Sequence, residues 1–385
     1  MGLRERVDRR LVVLVMLAVA CNGDGPVEPR IPGQLTAIAV TAGSEHTCAI
    51  TAGGAAYCWG WNLSGQLGDS DTTSHLHPVP VTGGLSFDTV VGGIYNTCGV
   101  TISGAAYCWG SNFSARLGDS TEENRTSPVV VHGGLSFATL RSGFFHTCGL
   151  TTGGAAYCWG YGNVGQLGDS ASAPSYSATP IPVRGGRTFA SLSTFNFHTC
   201  ALTSAGAAYC WGSNNQGPLG DSTLMARATP TRVVGGFTFR SVSAGGFHTC
   251  ALTTADAAYC WGDNTTGQLG NGAIVDRSFP VPVSGGLVFT ELTAGGTHTC
   301  GLTTSGVAYC WGDNAFGQLG IARGNDPTKP EPVLGGLRFV SLSAGWSHTC
   351  GVTVANAVYC WGYNRFGQLG TGDTTGSLKP VPVLR

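Results

Sequence analysis

Apolar and polar residues alternate in short runs along most of the chain, and glycine or other turn-forming residues separate the runs. Within residues 235–284, for instance, the segments 237–242, 248–253, 258–261 and 280–283 are rich in Val, Thr, Phe, Tyr and Trp. Runs of this length and composition, bounded by turns, predict β-strands. The apolar residues do not recur with the period of a helix. The pattern therefore predicts an all-β protein whose local unit contains four strands.

This four-strand unit repeats along the chain. The triplet Cys-Trp-Gly occurs at Cys58 and Cys108, which are 50 residues apart, and it recurs at intervals of 50 or 52 residues as far as Cys360. A period near 50 residues in a strand-rich sequence indicates an array whose units complete one another's core. Seven four-stranded antiparallel units predict a seven-bladed β-propeller, because radial closure hides the sheet edges. The predicted repeats are 33–82, 83–132, 133–184, 185–234, 235–284, 285–334 and 335–385.

The signature of each unit resembles the RCC1 repeat. Residues 261–270 read Trp-Gly-Asp-Asn-Thr-Thr-Gly-Gln-Leu-Gly, and residues 246–249 read Gly-Phe-His-Thr. Kelch propellers share the period, so this motif separates the two families. The resemblance covers residues 33–385 and implies a propeller. For eukaryotic relatives it also implies exchange-factor activity toward small GTPases. Four positions depart from the pattern, namely Asn96 in place of His, Ala115 in place of Gly, and Arg116 and Pro218 in place of Gln.

Fourteen cysteines form pairs ten residues apart, with one pair in each repeat. The hairpin turn of the first repeat falls near residue 53, so Cys48 and Cys58 lie opposite each other. Directly opposed residues have Cβ atoms about 4.5–5.5 Å apart, which is close to disulfide distance. Zinc sites favour closer cysteine spacing, and reactive thiols do not occur in equivalent copies, so these two interpretations are weaker. We predict one disulfide per blade: Cys48–Cys58, Cys98–Cys108, Cys148–Cys158, Cys200–Cys210, Cys250–Cys260, Cys300–Cys310 and Cys350–Cys360.

Charge and cysteine content limit the classes of partner and compartment. The chain has 20 basic and 21 acidic residues, which gives a net charge of −1. Sequence-independent binding to nucleic acid or to an anionic membrane needs a basic excess, so both classes are excluded. Fifteen cysteines in 385 residues indicate an oxidising compartment when they are paired.

The first residues predict export. Four arginines lie within residues 1–10, and an unbroken apolar run at 11–20 precedes Cys21. This pattern is typical of a signal peptide, and the apolar run is too short to span a bilayer. Small residues before a lone cysteine resemble the lipobox of bacterial lipoproteins, although Ala18 stands where Leu is preferred. We predict a lipoprotein-type signal peptide at 1–20, lipidation of Cys21 and a flexible tether at 21–32. Ordinary cleavage before an unpaired Cys21 is the alternative.

One histidine position is shared by six repeats. A ring of imidazoles suggests a metal site, but we interpret each histidine as a structural residue that caps its turn through a side-chain-to-backbone hydrogen bond. Residues 160–165 match the dinucleotide-binding fingerprint, yet no helix follows them. The aspartate of the Gly-Asp-Ser segments, such as Asp69, lacks the clustered ligands that calcium needs. We therefore predict no metal and no cofactor. The shared histidines are His46, His146, His198, His248, His298 and His348.

The predicted binding surface lies on one face of the propeller. With the strands of a blade named A to D from the axis outward, the A–B turns and C–D loops emerge on the same face. Function on a regular scaffold depends on such loops. Aromatic residues with few charges are typical of recognition surfaces, whereas packing of these rings between blades is the alternative. The predicted binding face comprises Glu45, Trp61, Tyr95, Phe113, Phe144, Phe145, Tyr161, Phe197, Phe247, Phe316, Trp346 and Tyr363.

These features favour a non-catalytic, exported binding scaffold that recognises a protein or glycan partner. We predict a monomer that meets the membrane only through the lipid on Cys21. It is anchored in the bacterial cell envelope, at the outer membrane or in the periplasm, with exposure on the cell surface as a further option. Two alternatives are an exchange-factor-like GTPase regulator and an envelope glycan-active enzyme. Glycoside chemistry needs two carboxylates about 5–9.5 Å apart, and Glu45 stands alone near the predicted mouth, with Asp263 and Asp313 farther out.

Overall fold

The computed structural model describes residues 31–170, 176–322 and 325–385. Within these ranges, 28 strands form seven four-stranded sheets, and neighbouring strands are antiparallel. The predicted all-β, seven-bladed propeller is therefore confirmed. The short 3₁₀ segment Phe113–Ala115 is the one helical element in the described ranges.

Each blade takes its four strands from one repeat, in chain order, so the Pro-Val strand of a repeat does not join the next blade. The sequence alone left this point open. In chain order the strands are β1 (Ala39–Ala42), β2 (His46–Ile50), β3 (Ala56–Gly60) and β4 (His75–Pro80) in blade 1; β5 (Phe87–Gly92), β6 (Asn96–Thr101), β7 (Ala106–Gly110) and β8 (Arg125–Val130) in blade 2; β9 (Phe137–Ser142), β10 (His146–Thr151), β11 (Ala156–Tyr161) and β12 (Tyr176–Pro182) in blade 3; β13 (Ser191–Thr194), β14 (His198–Leu202), β15 (Ala208–Gly212) and β16 (Arg227–Arg232) in blade 4; β17 (Phe239–Ala244), β18 (His248–Thr253), β19 (Ala258–Gly262) and β20 (Arg277–Pro282) in blade 5; β21 (Phe289–Ala294), β22 (His298–Thr303), β23 (Ala308–Gly312) and β24 (Glu331–Pro332) in blade 6; and β25 (Phe339–Ala344), β26 (His348–Thr353), β27 (Val358–Gly362) and β28 (Ser377–Pro382) in blade 7.

The second and third strands of each blade are joined by a disulfide. Cys48 and Cys58 are directly opposed in the β2–β3 ladder, and their Cα atoms are 4.1 Å apart. The same register holds in the other six blades, where the Cα–Cα distance is 4.0 or 4.1 Å. The prediction of one disulfide per blade is confirmed for the residues that the structure describes. Disulfides of this kind are typical of an oxidising compartment.

The hydrophobic core lies between blades. One cluster contains Cys48, Cys58 and Leu67 of blade 1 together with Phe87 and Trp109 of blade 2. Six further clusters repeat this arrangement around the ring. A single blade therefore cannot bury its own apolar residues, which is the property that the 50-residue period predicts. The tryptophans of the Cys-Trp-Gly triplets are all fully buried at these joints: Trp59, Trp109, Trp159, Trp211, Trp261, Trp311 and Trp361.

A chain of buried hydrogen bonds accompanies each cluster. The Trp109 indole N–H and the Thr97 hydroxyl both donate to the backbone carbonyl of Gln66 in the preceding blade, at 3.0 and 2.7 Å. His46 Nε2 lies 2.8 Å from the Thr97 hydroxyl oxygen. Because that hydroxyl gives its one proton to the carbonyl, His46 must donate from Nε2 and is the neutral Nε2–H tautomer. Equivalent pairs are His146–Thr199, His198–Thr249, His248–Thr299, His298–Thr349 and His348–Thr47.

The structural role of these histidines differs from our sequence interpretation. Their Nε2 atoms bind a threonine of the next blade, whereas we expected a cap on the turn of the same blade. In blade 2 the shorter Asn96 does not reach Thr147, and its amide instead donates to Ser142 at 2.9 Å. Ser142 belongs to blade 3. Blades 1, 5, 6 and 7 carry alanine at the position equivalent to Ser142. Asn96 and Ser142 therefore form a compensating pair at this joint.

The ring is closed by the same contacts that join any other two blades. Thr47 and Trp59 of blade 1 both donate to the carbonyl of Gln368 in blade 7, at 2.8 and 2.9 Å. Leu35 packs with Val383 in the corresponding hydrophobic cluster, and its amide donates to the Val383 carbonyl. Both ends of the repeat array thus complete one joint.

The predicted signal peptide, the lipidation site at Cys21 and nearly all of the tether lie outside the described residues. Among the residues that are described, no helix has the length and apolar character needed to cross a bilayer.

Removing one disulfide is expected to destabilise the whole propeller. In the C250A/C260A variant the cross-link between residues separated by 10 positions is lost, and we expect the free energy of unfolding to fall by about 3 kcal/mol because the unfolded chain regains loop entropy. Urea unfolding of the oxidised protein measures the change, and peptide mapping checks that the other six pairs remain linked. A loss below about 1 kcal/mol would contradict the prediction.

The buried histidines predict a steep dependence of stability on pH. Burial lowers the pKa of His46 and His198 to about 4 and that of His146, His248, His298 and His348 to about 3. Unfolded histidines have a pKa near 6.5, so only the unfolded chain gains these protons as the pH falls below that value. Stability is therefore complete above pH 6.5 and declines towards pH 4.

Urea unfolding between pH 7 and 5 measures this proton uptake. Near pH 5 we expect the unfolded chain to hold about five more protons than the folded protein. The six histidines contribute six protons to this difference. Glu291, whose pKa burial raises to about 7, already holds one proton in the folded state and lowers the difference by one. The H248N/A294S variant copies the Asn96–Ser142 pair and should take up one proton fewer. An uptake near zero would show that the histidines are not held neutral.

Candidate functional site

The C–D loops are shaped by the asparagine and glycines of the repeat signature. In blade 1, the Asn62 side-chain oxygen accepts the Leu67 amide at 2.9 Å, and its NH₂ donates to Asp69 at 3.0 Å. Gly68 adopts a positive φ of 72°, and a Cβ there would lie 2.6 Å from the indole nitrogen of Trp109. The signature therefore forms a socket for the tryptophan of the next blade, and the rest of the loop projects from the face.

The A–B turns surround the mouth of the central channel on that face. Adjacent turns are joined by backbone hydrogen bonds, such as Ser44 N–H to Gly93 O and Trp346 N–H to Gly43 O. Each turn also holds the start of its own C–D loop, as the Trp61 N–H donates to Glu45 O at 2.8 Å. The residues before each histidine and the residues after each Trp-Gly are thus brought together at one end of the blades.

Ten aromatic residues on this face form one connected network, which we call the aromatic belt. Trp61 contacts Tyr95 with ring centroids 5.0 Å apart, and Tyr95 contacts Phe144 at 6.0 Å. Phe144 and Phe145 lie edge to face at 3.9 Å. Every ring is half-buried or exposed, so the belt offers apolar surface to solvent. Its members, over blades 6, 7 and 1 to 4, are Phe316, Tyr363, Phe366, Trp61, Tyr95, Phe144, Phe145, Phe113, Tyr161 and Phe197.

Two aromatic residues of the predicted face, Trp346 and Phe247, lie outside the belt. Trp346 of blade 7 stacks on Phe195 of blade 4, with centroids 6.0 Å apart and an interplanar angle of 22°. These blades are three positions apart in the ring, so the stacked pair lies across the mouth of the channel. Phe247 of blade 5 is half-buried on the same face. The structure therefore gathers all twelve predicted residues on one face, and their role in binding stays a prediction.

Glu45, Tyr95 and Arg116 are the titratable groups that interact at this part of the face. Burial raises the pKa of Glu45, and the Arg365 guanidinium opposes that shift. The pKa of Tyr95 is raised by burial and by the Glu45 charge and is lowered by Arg116. Tyr95 is thus influenced by an acidic residue of blade 1 and by a basic residue of its own blade.

Arg116 is the least expected of these residues. It replaces the glutamine of the repeat signature and is only 1% exposed. Its guanidinium donates to the carbonyls of Phe113 and Phe144 at 3.0 and 2.7 Å and lies 4.9 Å from the centre of the Phe145 ring. Burial lowers the pKa of Arg116 to about 10. No carboxylate among the described residues lies within 4.0 Å of it, so a buried positive charge stands without a counter-ion beneath the belt.

Ligand-type residues elsewhere on the loops act as braces. Asp69, Asp71 and His75 lie close enough together to hold a metal ion in principle. However, Asp69 accepts from Asn62 and faces His75 Nε2 at 3.1 Å. Blades 2 and 4 place an ion pair at the same positions, Asp119–Arg125 and Asp221–Arg227. Arginine is not a metal ligand, so the shared geometry is that of a loop brace.

Sequence reasoning missed several exposed or buried residues of functional interest. It treated Arg116 only as a departure from the repeat and did not consider Arg141, although Arg141 interrupts a run of hydroxyl residues at its repeat position. It also omitted two exposed apolar pairs on the C–D loops of blades 4 and 5, Leu224–Met225 and Ile274–Val275.

Fold and face together define a closed, disulfide-linked propeller with an aromatic loop face. The chain belongs to the RCC1-like domain family, whose description matches residues 89–385. The RCC1 repeat itself matches residues 37–66 and 53–100. The resemblance seen in the repeat motif is thus confirmed at the level of the family.

Similar proteins support the same fold. The ultraviolet-B receptor UVR8 of Arabidopsis thaliana is 51% identical over 43 residues, which are 11% of this chain and 10% of that receptor. Human WBSCR16 superposes with a TM-score of 0.75 at 20% identity, over 84% of this chain and 88% of that one. Yeast RCC1 (Prp20), solved with Kap60 bound to it, gives a TM-score of 0.77 at 18% identity, over 99% and 91% of the two chains. At these identities the structural likeness shows the fold alone.

Restoring the repeat signature in blade 2 is expected to stabilise the protein. Ala115 adopts a φ of +58° where the equivalent positions of the other blades carry glycine, and Arg116 buries an uncompensated charge. The A115G/R116Q variant should therefore raise the free energy of unfolding by about 2 kcal/mol.

Urea unfolding tests this expectation, with Q268R in blade 5 as the reciprocal change that should lower stability. A loss of stability in A115G/R116Q would show that Arg116 serves the fold, and the functional interpretation of the departure would then fail.

Proposed function

We propose that this protein is a non-catalytic binding scaffold that recognises a protein partner through the aromatic belt and the adjoining A–B turns and C–D loops. The single observation that carries the proposal is the exposure of one connected aromatic network on one face of an otherwise regular ring. Partly exposed aromatic side chains contribute a large share of binding energy at protein interfaces.

The distribution of departures from the repeat supports this proposal. Asn96, Ala115 and Arg116 lie in blade 2, and Phe144 and Phe145 lie next to them in blade 3. A buried arginine and a left-handed alanine cost stability, so their occurrence beneath the belt favours a function at this sector over a role in folding. The complex of yeast RCC1 (Prp20) with Kap60 supports protein binding as a use of this fold.

A glycan is the second class of partner that the face suits. Trp61, Tyr95 and Glu45 combine flat rings with a carboxylate, and sugar rings bind such surfaces through apolar stacking and hydrogen bonds. The exposed area of the belt extends over six blades, however, and this extent favours the larger protein surface.

We also propose that the protein is exported and lipid-anchored at Cys21 in the bacterial cell envelope. The support is the charged and apolar pattern of residues 1–20, the cysteine that follows, and the seven disulfides. Mass spectrometry of the mature N-terminus tests the anchor, because a diacylglycerol on Cys21 is the expected result and an unmodified Cys21 contradicts it.

A capture experiment with matched variants tests the binding face. The mature protein is immobilised, and its partners are compared with those of a W61S/Y95S/F145S variant and of a V130S/F279S variant. Val130 and Phe279 are apolar residues exposed on the outer strands β8 and β20, and Val130 pairs with Tyr107 at the end of its blade away from the loops.

The expected result is a partner retained by the wild type and by the outer-strand variant but lost from the belt variant. Hydrogen exchange of the complex should then show protection at residues 43–45, 61–64, 93–95 and 143–145. Equal retention by the belt variant, or protection confined to the outer strands, would contradict the proposed function.

A further inference from the structure

The innermost strands enclose a central channel of about 340 Å³. Alternate residues of each strand face the axis, because side chains of a β-strand point to opposite sides in turn. One such ring of positions, near the loop face, is entirely half-buried and lines the channel. It consists of Thr41, Val91, Arg141, Ser193, Ser243, Thr293 and Ser343.

The hydroxyl groups of this ring have a fixed hydrogen-bonding role. Ser343 accepts the Ala42 amide of the following blade at 2.9 Å, and Thr41 accepts the Gly92 amide at 3.0 Å. Ser193, Ser243 and Thr293 accept equivalent amides. A hydroxyl that accepts a hydrogen bond keeps its own O–H for donation. None of these five hydroxyls donates to a described residue, so the channel presents five O–H donors.

Arg141 provides a positive charge in the same ring. Its Nη1 donates to the Thr139 hydroxyl and to the Leu140 carbonyl, both at 2.8 Å. Its Nε and Nη2 have no partner among the described residues, and no described carboxylate lies within 4.0 Å. Burial lowers the pKa of Arg141, but a guanidinium remains protonated in proteins. The free edge of the guanidinium is therefore a donor pair without an acceptor.

The acidic residues near the channel do not supply an acceptor for the free edge of Arg141. Glu291 lies two residues before Thr293, roughly 6.6 Å farther from the loop face, and accepts the Leu342 amide. Asp88 is exposed at the end of the channel away from the loops. Phe195, which stacks on Trp346, lines the opposite end.

We propose that the central channel is a binding site for a small oxoanion, a carboxylate or a phosphate group, held by the free edge of Arg141 and by the hydroxyl ring. A guanidinium edge matches two oxygens of such an anion, and hydroxyl groups add charge-assisted hydrogen bonds. The site is separate from the aromatic belt, and its occupancy does not depend on a partner at the loop face.

Equilibrium dialysis with labelled inorganic phosphate tests the proposal on the mature protein. We expect one saturable site per chain, with a Kd of about 1 mM or lower. R141Q should weaken binding at least tenfold. K379Q, which removes an exposed charge from the outer strand β28, should bind as the wild type does. The S193A/S243A variant should bind several-fold more weakly, because two donors are lost.

Acetate and sulfate serve as competitors. Displacement of phosphate by either at similar concentration supports the proposal and identifies the preferred class of anion. R141K keeps the positive charge but lacks the paired N–H donors of the guanidinium, so it should bind phosphate with intermediate affinity. This variant provides the comparison with the wild type if R141Q does not fold. Absence of a saturable site in the wild type, or equal binding by wild type, R141K and R141Q, would overturn the proposal.

Discussion

The joint between neighbouring blades is the interaction on which the rest of the structure depends. At each joint a tryptophan packs against the disulfide and leucine of the preceding blade, and a threonine hydroxyl donates to a backbone carbonyl of that blade. At six of the seven joints the same hydroxyl accepts from a neutral histidine, and at the remaining joint Asn96 takes the place of the histidine. Charge on the imidazole would destabilise the joint, since a protonated ring would have to be buried with no acidic partner. The disulfide stiffens each hairpin, but the joint holds the ring together. The joint that closes the ring uses the same contacts as the others, so we expect it to be as stable as they are.

Because the joints are nearly identical, functional differences arise from the positions that differ between blades. The departures concentrate in blades 2 and 3, where Asn96, Arg116 and the Phe144–Phe145 pair replace the residues of the repeat. Asn96 is matched by Ser142, so the joint survives the loss of a histidine. Arg116 has no such counterpart and keeps a buried charge beneath exposed rings. This combination is the basis of the proposed binding face, and the channel below it carries a second, chemically distinct set of donors.

Much of the fold follows from the sequence because its determinants are local. A hairpin turn midway between two cysteines fixes which residues are opposed, so Cys48 and Cys58 can be paired from spacing alone. The threonine partner of His46 is 51 residues away in the next blade, and no local pattern identifies it. The stacking of Phe195 on Trp346 joins blades three positions apart, and the isolation of Arg116 depends on every neighbouring element. Such features arise from ring closure, so they emerge only from the assembled structure.

Native-state hydrogen exchange of the tryptophan indole N–H groups tests the central claim most directly. Six of these groups donate to carbonyls of the preceding blade, including Trp59 across the closing joint and Trp211 within the array. If the joints are equivalent, Trp59 and Trp211 should exchange with the same free energy of opening, equal to that of global unfolding. Exchange of Trp59 at a free energy several kcal/mol lower than that of Trp211 would show that the ring opens at its seam, and it would contradict this account.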